Sequence, residues 1–252
     1  MLVGGFGNAF AAPNIVSNGS FETVDADCTG TFTSIPPSSA TIQDWAVGGP
    51  YGIDWICNLW EAADGNKSID MSGTNPVDGP PYDGVPSDAG SVSQNLATID
   101  GATYHVTFSM SGNPGAGPTI KDMTVSTQDD SEQFTYDITG NNYPTPMNWK
   151  EKTWDFVAPV GGTTTLTFTS DTDLPWGPAL DNVSAVLSAC PTGYDLVDDT
   201  CVRSNHNLVA GELVPLNTTA LFISSLSSSM IWMAPTILGI AGVGVYIKSK
   251  KN

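Results

Sequence analysis

The chain has 252 residues, with 26 Asp and Glu against 8 Lys and Arg, for a formal net charge of −18 at pH 7. Such a surplus repels phosphate backbones and anionic lipid, which excludes nucleic acid as the expected partner. It attracts cations, calcium above all, whose ligands are hard oxygens, although solubility in a salty medium explains the charge equally well.

Taken in chain order, residues 1–12 are apolar and small, and Ala9-Phe10-Ala11 fits the small-x-small rule for signal cleavage. No basic residue precedes this run, and Gly4, Gly5, Gly7 and Asn8 interrupt it. The segment therefore reads as the remnant of a signal peptide that starts upstream.

Residues 13–188 read as short strands between turns. Tyr104, Val106, Phe108 and Met110 alternate with His105, Thr107 and Ser109, and Leu166 and Phe168 alternate with Thr165, Thr167 and Thr169. Period-two alternation marks half-buried strands. Residues 120–127, 133–138 and 149–158 are further candidates, while 34–40, 75–88 and 113–118 are rich in Pro, Gly, Ser or Asp and are expected to be loops. No long amphipathic helical stretch appears, so the expected class is all-β, an antiparallel sandwich with one core.

Residues 189–202 are expected to form a disulfide-closed hairpin, and 203–218 a polar linker. Residues 219–247 then read as a single transmembrane helix. Its core, Met230 to Ile247, carries no charge; at ~1.5 Å per residue it matches a hydrocarbon layer ~30 Å thick. Trp232 and Tyr246 sit near its ends, and Lys248, Lys250 and Lys251 mark residues 248–252 as a cytoplasmic tail by the positive-inside rule. The expected location is the cell membrane, single-pass, with the bulk of the chain extracellular.

Outside the cell an even cysteine count suggests disulfides. Local pairing, Cys28 with Cys57 and Cys190 with Cys201, is favoured because each pair bounds its own segment. Zinc is the rival, but no Cys-x-x-Cys spacing occurs and His105 and His206 are far apart.

Asn18-Gly-Ser-Phe-Glu22 and Gly177-Pro-Ala-Leu-Asp-Asn-Val183 form the strongest constellation. The first and last strands of a jelly roll commonly lie side by side, so Glu22 and Asp181 are expected to reach one calcium ion. The alternative is a strand-edge glutamate and a turn aspartate without a metal.

These two motifs belong to an ordered series. Between them come Trp45, Ile53-Asp54, Trp60-Glu-Ala-Ala-Asp-Gly65, Ser68-Ile-Asp-Met-Ser-Gly73 and Ser93-Gln94. Gly101-Ala-Thr-Tyr104, Phe108, Gly112-Asn113-Pro114, Trp149 and Phe156-Val-Ala158 follow. The series resembles the choice-of-anchor C domain, which is related to plant cell-wall domains with galactose-binding-like jelly-roll folds. The resemblance spans residues 14–187. It implies a galactose-binding-like jelly-roll β-sandwich at the cell surface followed by an anchor, with no established enzymatic activity. In related carbohydrate-binding jelly rolls the matching Glu and Asp hold structural calcium, which supports Glu22 and Asp181 as ligands. Asp25 to Gly30 and the Cys28/Cys57 pair depart from the plain pattern.

Aromatic side chains in or beside loops could stack on sugar rings. Trp45, Trp149 and Trp154 are expected in the core, whereas Tyr82, Tyr143 and Trp176, flanked by Pro and Gly, are expected to be exposed and ligand-facing. Asn18, Asn66, Asn182 and Asn217 begin Asn-x-Ser/Thr sequons, possible glycan sites, although Asn18 and Asn182 flank the calcium pair and could be structural. No nucleophile elbow, His-Glu-x-x-His pair or phosphate loop is present. The leading expectation is a non-catalytic module for carbohydrate or a cell-envelope polymer, anchored in the membrane. A coat or matrix protein that self-associates through calcium comes second, and a carboxylate-pair glycosidase third.

Overall fold

The computed structural model describes residues 12–204, apart from 29, 74–88, 173 and 175. Residues 1–11 of the signal remnant, the expected loop at 75–88 with Tyr82, Asn217, residues 205–218 of the linker, the transmembrane helix and the tail lie outside the described residues. Arg203, expected in the linker, instead ends the last described strand. Among the described residues, no helix is long and apolar enough to cross a membrane.

The described chain is an all-β sandwich of the jelly-roll type. Its strands are β1 (Phe32–Ile35), β2 (Ala46–Gly48), β3 (Ile53–Ile56), β4 (Ser68–Asp70), β5 (Ser91–Ala97), β6 (Thr103–Gly112) and β7 (Ile120–Ser126). Then come β8 (Ser131–Asp137), β9 (Lys150–Val157), β10 (Thr163–Ser170), β11 (Pro178–Ala189), β12 (Tyr194–Val197) and β13 (Thr200–Arg203). One sheet runs β1-β3-β4-β11-β6-β9, the other β2-β5-β10-β7-β8, and every recorded pairing within them is antiparallel.

The alternation expected in β6 and β10 is present: Tyr104, Val106, Phe108, Met110, Leu166 and Phe168 point inward and are buried. Residues 120–127, 133–138 and 149–158 match β7, β8 and β9 to within a few residues. The expected loop at 34–40 is corrected at its start, because Ser34 and Ile35 belong to β1 and pair with Asp54 and Ile53.

Aromatic rings run through the core. Phe108 meets Phe168 at 5.2 Å and Phe134 at 5.1 Å, both edge-on, and Trp45 bridges Phe168 and Phe21 at 6.3 and 5.3 Å. Each such pair adds ~0.5–1.5 kcal/mol beyond area burial. Trp45 and Trp154 are core residues as expected; Trp149 is only partly buried.

Both expected disulfides are formed, Cys28–Cys57 and Cys190–Cys201, and the second closes the two-stranded ribbon of β12 and β13.

A second apolar cluster positions the site. Ile56, Trp60, Met147 and Ala179, with Leu59, Tyr143 and Trp149 packed against them, form a cluster separate from the inter-sheet core. It joins the six-stranded sheet to the loops at 57–67 and 141–149. Glu61 ties those loops together: its amide donates to Pro144 O, its carboxylate accepts Thr145 Oγ1 at 2.6 Å and Met147 N at 2.9 Å, and its carbonyl accepts Trp149 Nε1. These bonds hold the Glu61 carboxyl below the usual range, the Thr145 hydroxyl first.

Candidate functional site

The two ends of the domain meet as the motifs suggest. Val183 N donates to Gly19 O at 2.9 Å, and Ile15 N donates to Ala185 O. Asn18 holds the turn from φ 50°, donating through Nδ2 to Thr23 O and Gln43 O and accepting Thr23 N. Its amide is thereby spent on the fold. Asn182 sits at a bulge in β11 with φ 50° and is exposed, as is Asn66.

Glu22 and Asp181 converge on one loop. Glu22 Oε1 accepts the amides of Asn66 and Lys67 at 2.6 and 2.7 Å. Asp181 Oδ2 accepts those of Ala63 and Asp64 at 2.7 and 2.9 Å, and Oδ1 accepts Asn182 N. Burial, with the nearby charge of Asp64, pushes the Asp181 carboxyl up to about 7 against these hydrogen bonds. The donor chemistry suits a hard cation, since two carboxylates from opposite ends of the domain reach one loop. Those oxygens nonetheless already carry backbone N–H partners. Among the described residues, no group of three His, Cys, Asp or Glu gathers as a metal set.

Beside this loop lies a cleft of about 710 Å³ lined by Glu22, Asn58, Trp60, Glu61, Asn66, Lys67, Pro144 and Thr145. Lys67 Nζ sits 5.4 Å over the Trp55 ring. Trp60, at the floor, is buried, donates to Ser68 Oγ and stacks on Tyr143 with centroids 6.1 Å apart and planes 3° from parallel.

Tyr143 and Trp176, expected to be exposed, are half-buried and brought together. Both close on Gly115, where an added Cβ would lie 2.5 Å from Trp176 Cδ1 and 2.8 Å from Tyr143 Oη. Only a residue without a side chain lets the two rings approach. The Tyr143 hydroxyl donates to Asn113 Oδ1. The rim thus offers two part-exposed rings with amide, hydroxyl and carboxylate groups alongside, chemistry suited to stacking and hydrogen bonding. A second cleft of about 710 Å³ lies beside β2 and β5, lined by Ser17, Ser38, Ser39, Asp44, Ser93 and Asn95 with buried Trp45 at its base. It offers no part-exposed ring.

Several buried residues beneath the rim carry little sequence signal for a role. Asp54 and Asp70 face each other on β3 and β4, both buried, and Ser34 Oγ donates to Asp54 at 2.6 Å. The hint was an acid flanked by apolar residues, in Ile53 to Trp55 and in Ile69 to Met71. Lys121, fully buried on β7, gave no hint.

Residues 14–186 match the family described as "Protein of unknown function (DUF642)". Halomucin of Haloquadratum walsbyi is 30% identical over 190 residues, covering 71% of this chain and 2% of that protein. The chain therefore spans only 2% of the length of that curated relative. Among solved structures, TmCBM61 in complex with beta-1,4-galactotriose is similar at a TM-score of 0.45 and 13% identity, covering 70% of this chain and 100% of that one. The CBM22-1 xylan-binding domain from Paenibacillus barcinonensis Xyn10C is similar at 0.42 and 14%, covering 72% and 99%.

Proposed function

The chain belongs to the DUF642 family, and from that premise we propose that its sandwich is a non-catalytic binding module for neutral carbohydrate. The observation that carries the reading is the rim itself, where Tyr143 and Trp176 converge on Gly115 beside Asn113 and the cleft of Glu61 and Asn66. A net charge of −18 disfavours polyuronates and sulfated chains, so the ligand is a neutral glycan.

Glu22 and Asp181 with calcium belong to the same proposal, as braces of the loop between them. So does anchorage at a cell surface through residues 219–247, in the manner of the choice-of-anchor C resemblance. Cell fractionation tests the anchor: the full chain belongs with membranes, and its recovery in soluble material would remove that part.

A glycan array tests the module. The full chain is expected to bind neutral polymers such as galactan, xylan or β-glucan in preference to polygalacturonate. Binding to no neutral glycan overturns the reading. Calcium-dependent self-association with a silent array would favour the coat or matrix role, for which the acid surplus is the supporting observation.

A further inference from the structure

Beneath the aromatic rim lies a set of buried ionisable groups that sugar stacking alone does not require. Asp70 is 1% exposed, Asn113 6% and Lys121 0%. Asp70 Oδ2 accepts Asn113 Nδ2 at 2.6 Å, and Oδ1 accepts the amides of Gly177 and Ser72 at 3.0 and 3.1 Å. Asn113 Oδ1 in turn accepts the Tyr143 hydroxyl and Gly115 N. Lys121 Nζ donates to the carbonyl of Trp176 at 2.5 Å and to that of Ala116 at 3.1 Å. One network therefore reaches the Tyr143 hydroxyl through Asn113, and the backbone that carries the Trp176 ring through the Trp176 carbonyl and the adjoining amide of Gly177.

We infer that Asp70 and Lys121 are positioning residues that hold Tyr143 and Trp176 as one ligand-facing pair, and that affinity at this rim follows the protonation of the Asp70–Lys121 pair. The ligand in this inference rests on the carbohydrate reading above; the wiring of the rings does not.

The charges that meet here come from several elements: Asp54 on β3, Asp70 on β4, Lys121 on β7 and the Tyr143 phenol from the loop before β9. Burial pushes the Asp70 carboxyl up to about 8, and the facing Asp54 charge adds to it. Burial also brings the Lys121 ammonium down to about 8, with Asp70 opposing. The Tyr143 phenol rises to about 12, from burial and then from Asp70, and stays protonated throughout. At pH 7 the pair is Asp70 neutral and Lys121 charged. Close groups titrate as a unit, so one proton leaves the pair near pH 8. If Asp70 releases it, two carboxylates oppose each other across β3 and β4 in a low dielectric. If Lys121 releases it, the bonds to Trp176 and Ala116 lose their charge assistance. Either loss loosens the ring pair, so affinity falls as pH rises from 7 to 9.

The test uses the full chain labelled with 5-fluorotryptophan, with the Trp176 fluorine resonance assigned by Trp176→Phe. The resonance is expected to titrate with a midpoint near pH 8 in the wild type and at lower pH in Asp70→Asn, where Lys121 loses the opposing Asp70 charge. With soluble β-1,4-galactan as probe, affinity is expected to fall several-fold between pH 7 and 9 in the wild type, and over a lower pH range in Asp70→Asn. Lys121→Met, which keeps the volume, serves as a second variant and should displace the midpoint. A Trp176 resonance flat from pH 6 to 10 in the wild type overturns the inference, as does a titration unchanged in both variants. A resonance that titrates as expected, with no neutral glycan bound, overturns the carbohydrate reading and the affinity claim while the positioning role stands.

Discussion

At the scale of single residues, Gly19 is the most constrained position that the sequence made visible. A Cβ there would lie 2.0 Å from Val183 O, the strand neighbour to which Gly19 already offers its carbonyl. Any side chain must push the first and last segments of the domain apart. Gly19→Ala is expected to cost ~1–3 kcal/mol, as overpacking does, and to lower Tm by ~2–12 °C in calorimetry. Gly30→Ala, where nothing lies within 4 Å, should leave Tm nearly unchanged. Equal behaviour of the two variants would contradict the close approach. Glu22, Asp181 and Gly19 were legible because each sits in a compact motif. Asp54, Asp70 and Lys121 were not legible as a network, because hydropathy places charged residues at the surface and only the folded register shows them facing one another. Trp55 and Trp60 look like loop-side aromatics in the sequence, yet both are buried, with Trp55 Nε1 donating to Phe21 O.

At the scale of elements, period-two alternation located β6 and β10 because one face of each meets the core and the other does not. β3 is buried on both faces, and Ile-Asp-Trp-Ile therefore shows no alternation to read. The loop at 57–67 could be seen as a motif, but not its docking on the sheet, which depends on Asp181 and Glu22 reaching its amides across more than forty residues of sequence. The calcium proposal is a claim about this loop. A ligand bound only by the folded state stabilises it by mass action, so EDTA is expected to lower Tm in the wild type. The same chelator should leave Asp181→Asn unaffected. A wild-type melting curve indifferent to EDTA would mean that the backbone amides alone brace the loop and would remove calcium from the account.

At the scale of the whole molecule, the all-β sandwich was legible from strand spacing and the disulfides from cysteine pairing, and both are as expected. The surface proposed to bind a ligand was legible only in part. Tyr143 and Trp176 were named separately from their Pro and Gly neighbours, but their convergence on Gly115 depends on loops from β6–β7, β8–β9 and β10–β11 meeting at one end. Composition contributes the other half of the functional account, since the acid surplus disfavours anionic polymers without choosing among neutral ones. The central claim is that a neutral glycan binds at this rim. Titration calorimetry of the full chain with the best neutral glycan from the array, in the wild type, Trp176→Ala and Ser93→Ala, tests it most directly. The account expects Trp176→Ala to weaken binding ~10-fold or more, with Ser93→Ala, in the cleft beside β5, unchanged. Full affinity in Trp176→Ala with loss in Ser93→Ala would contradict it.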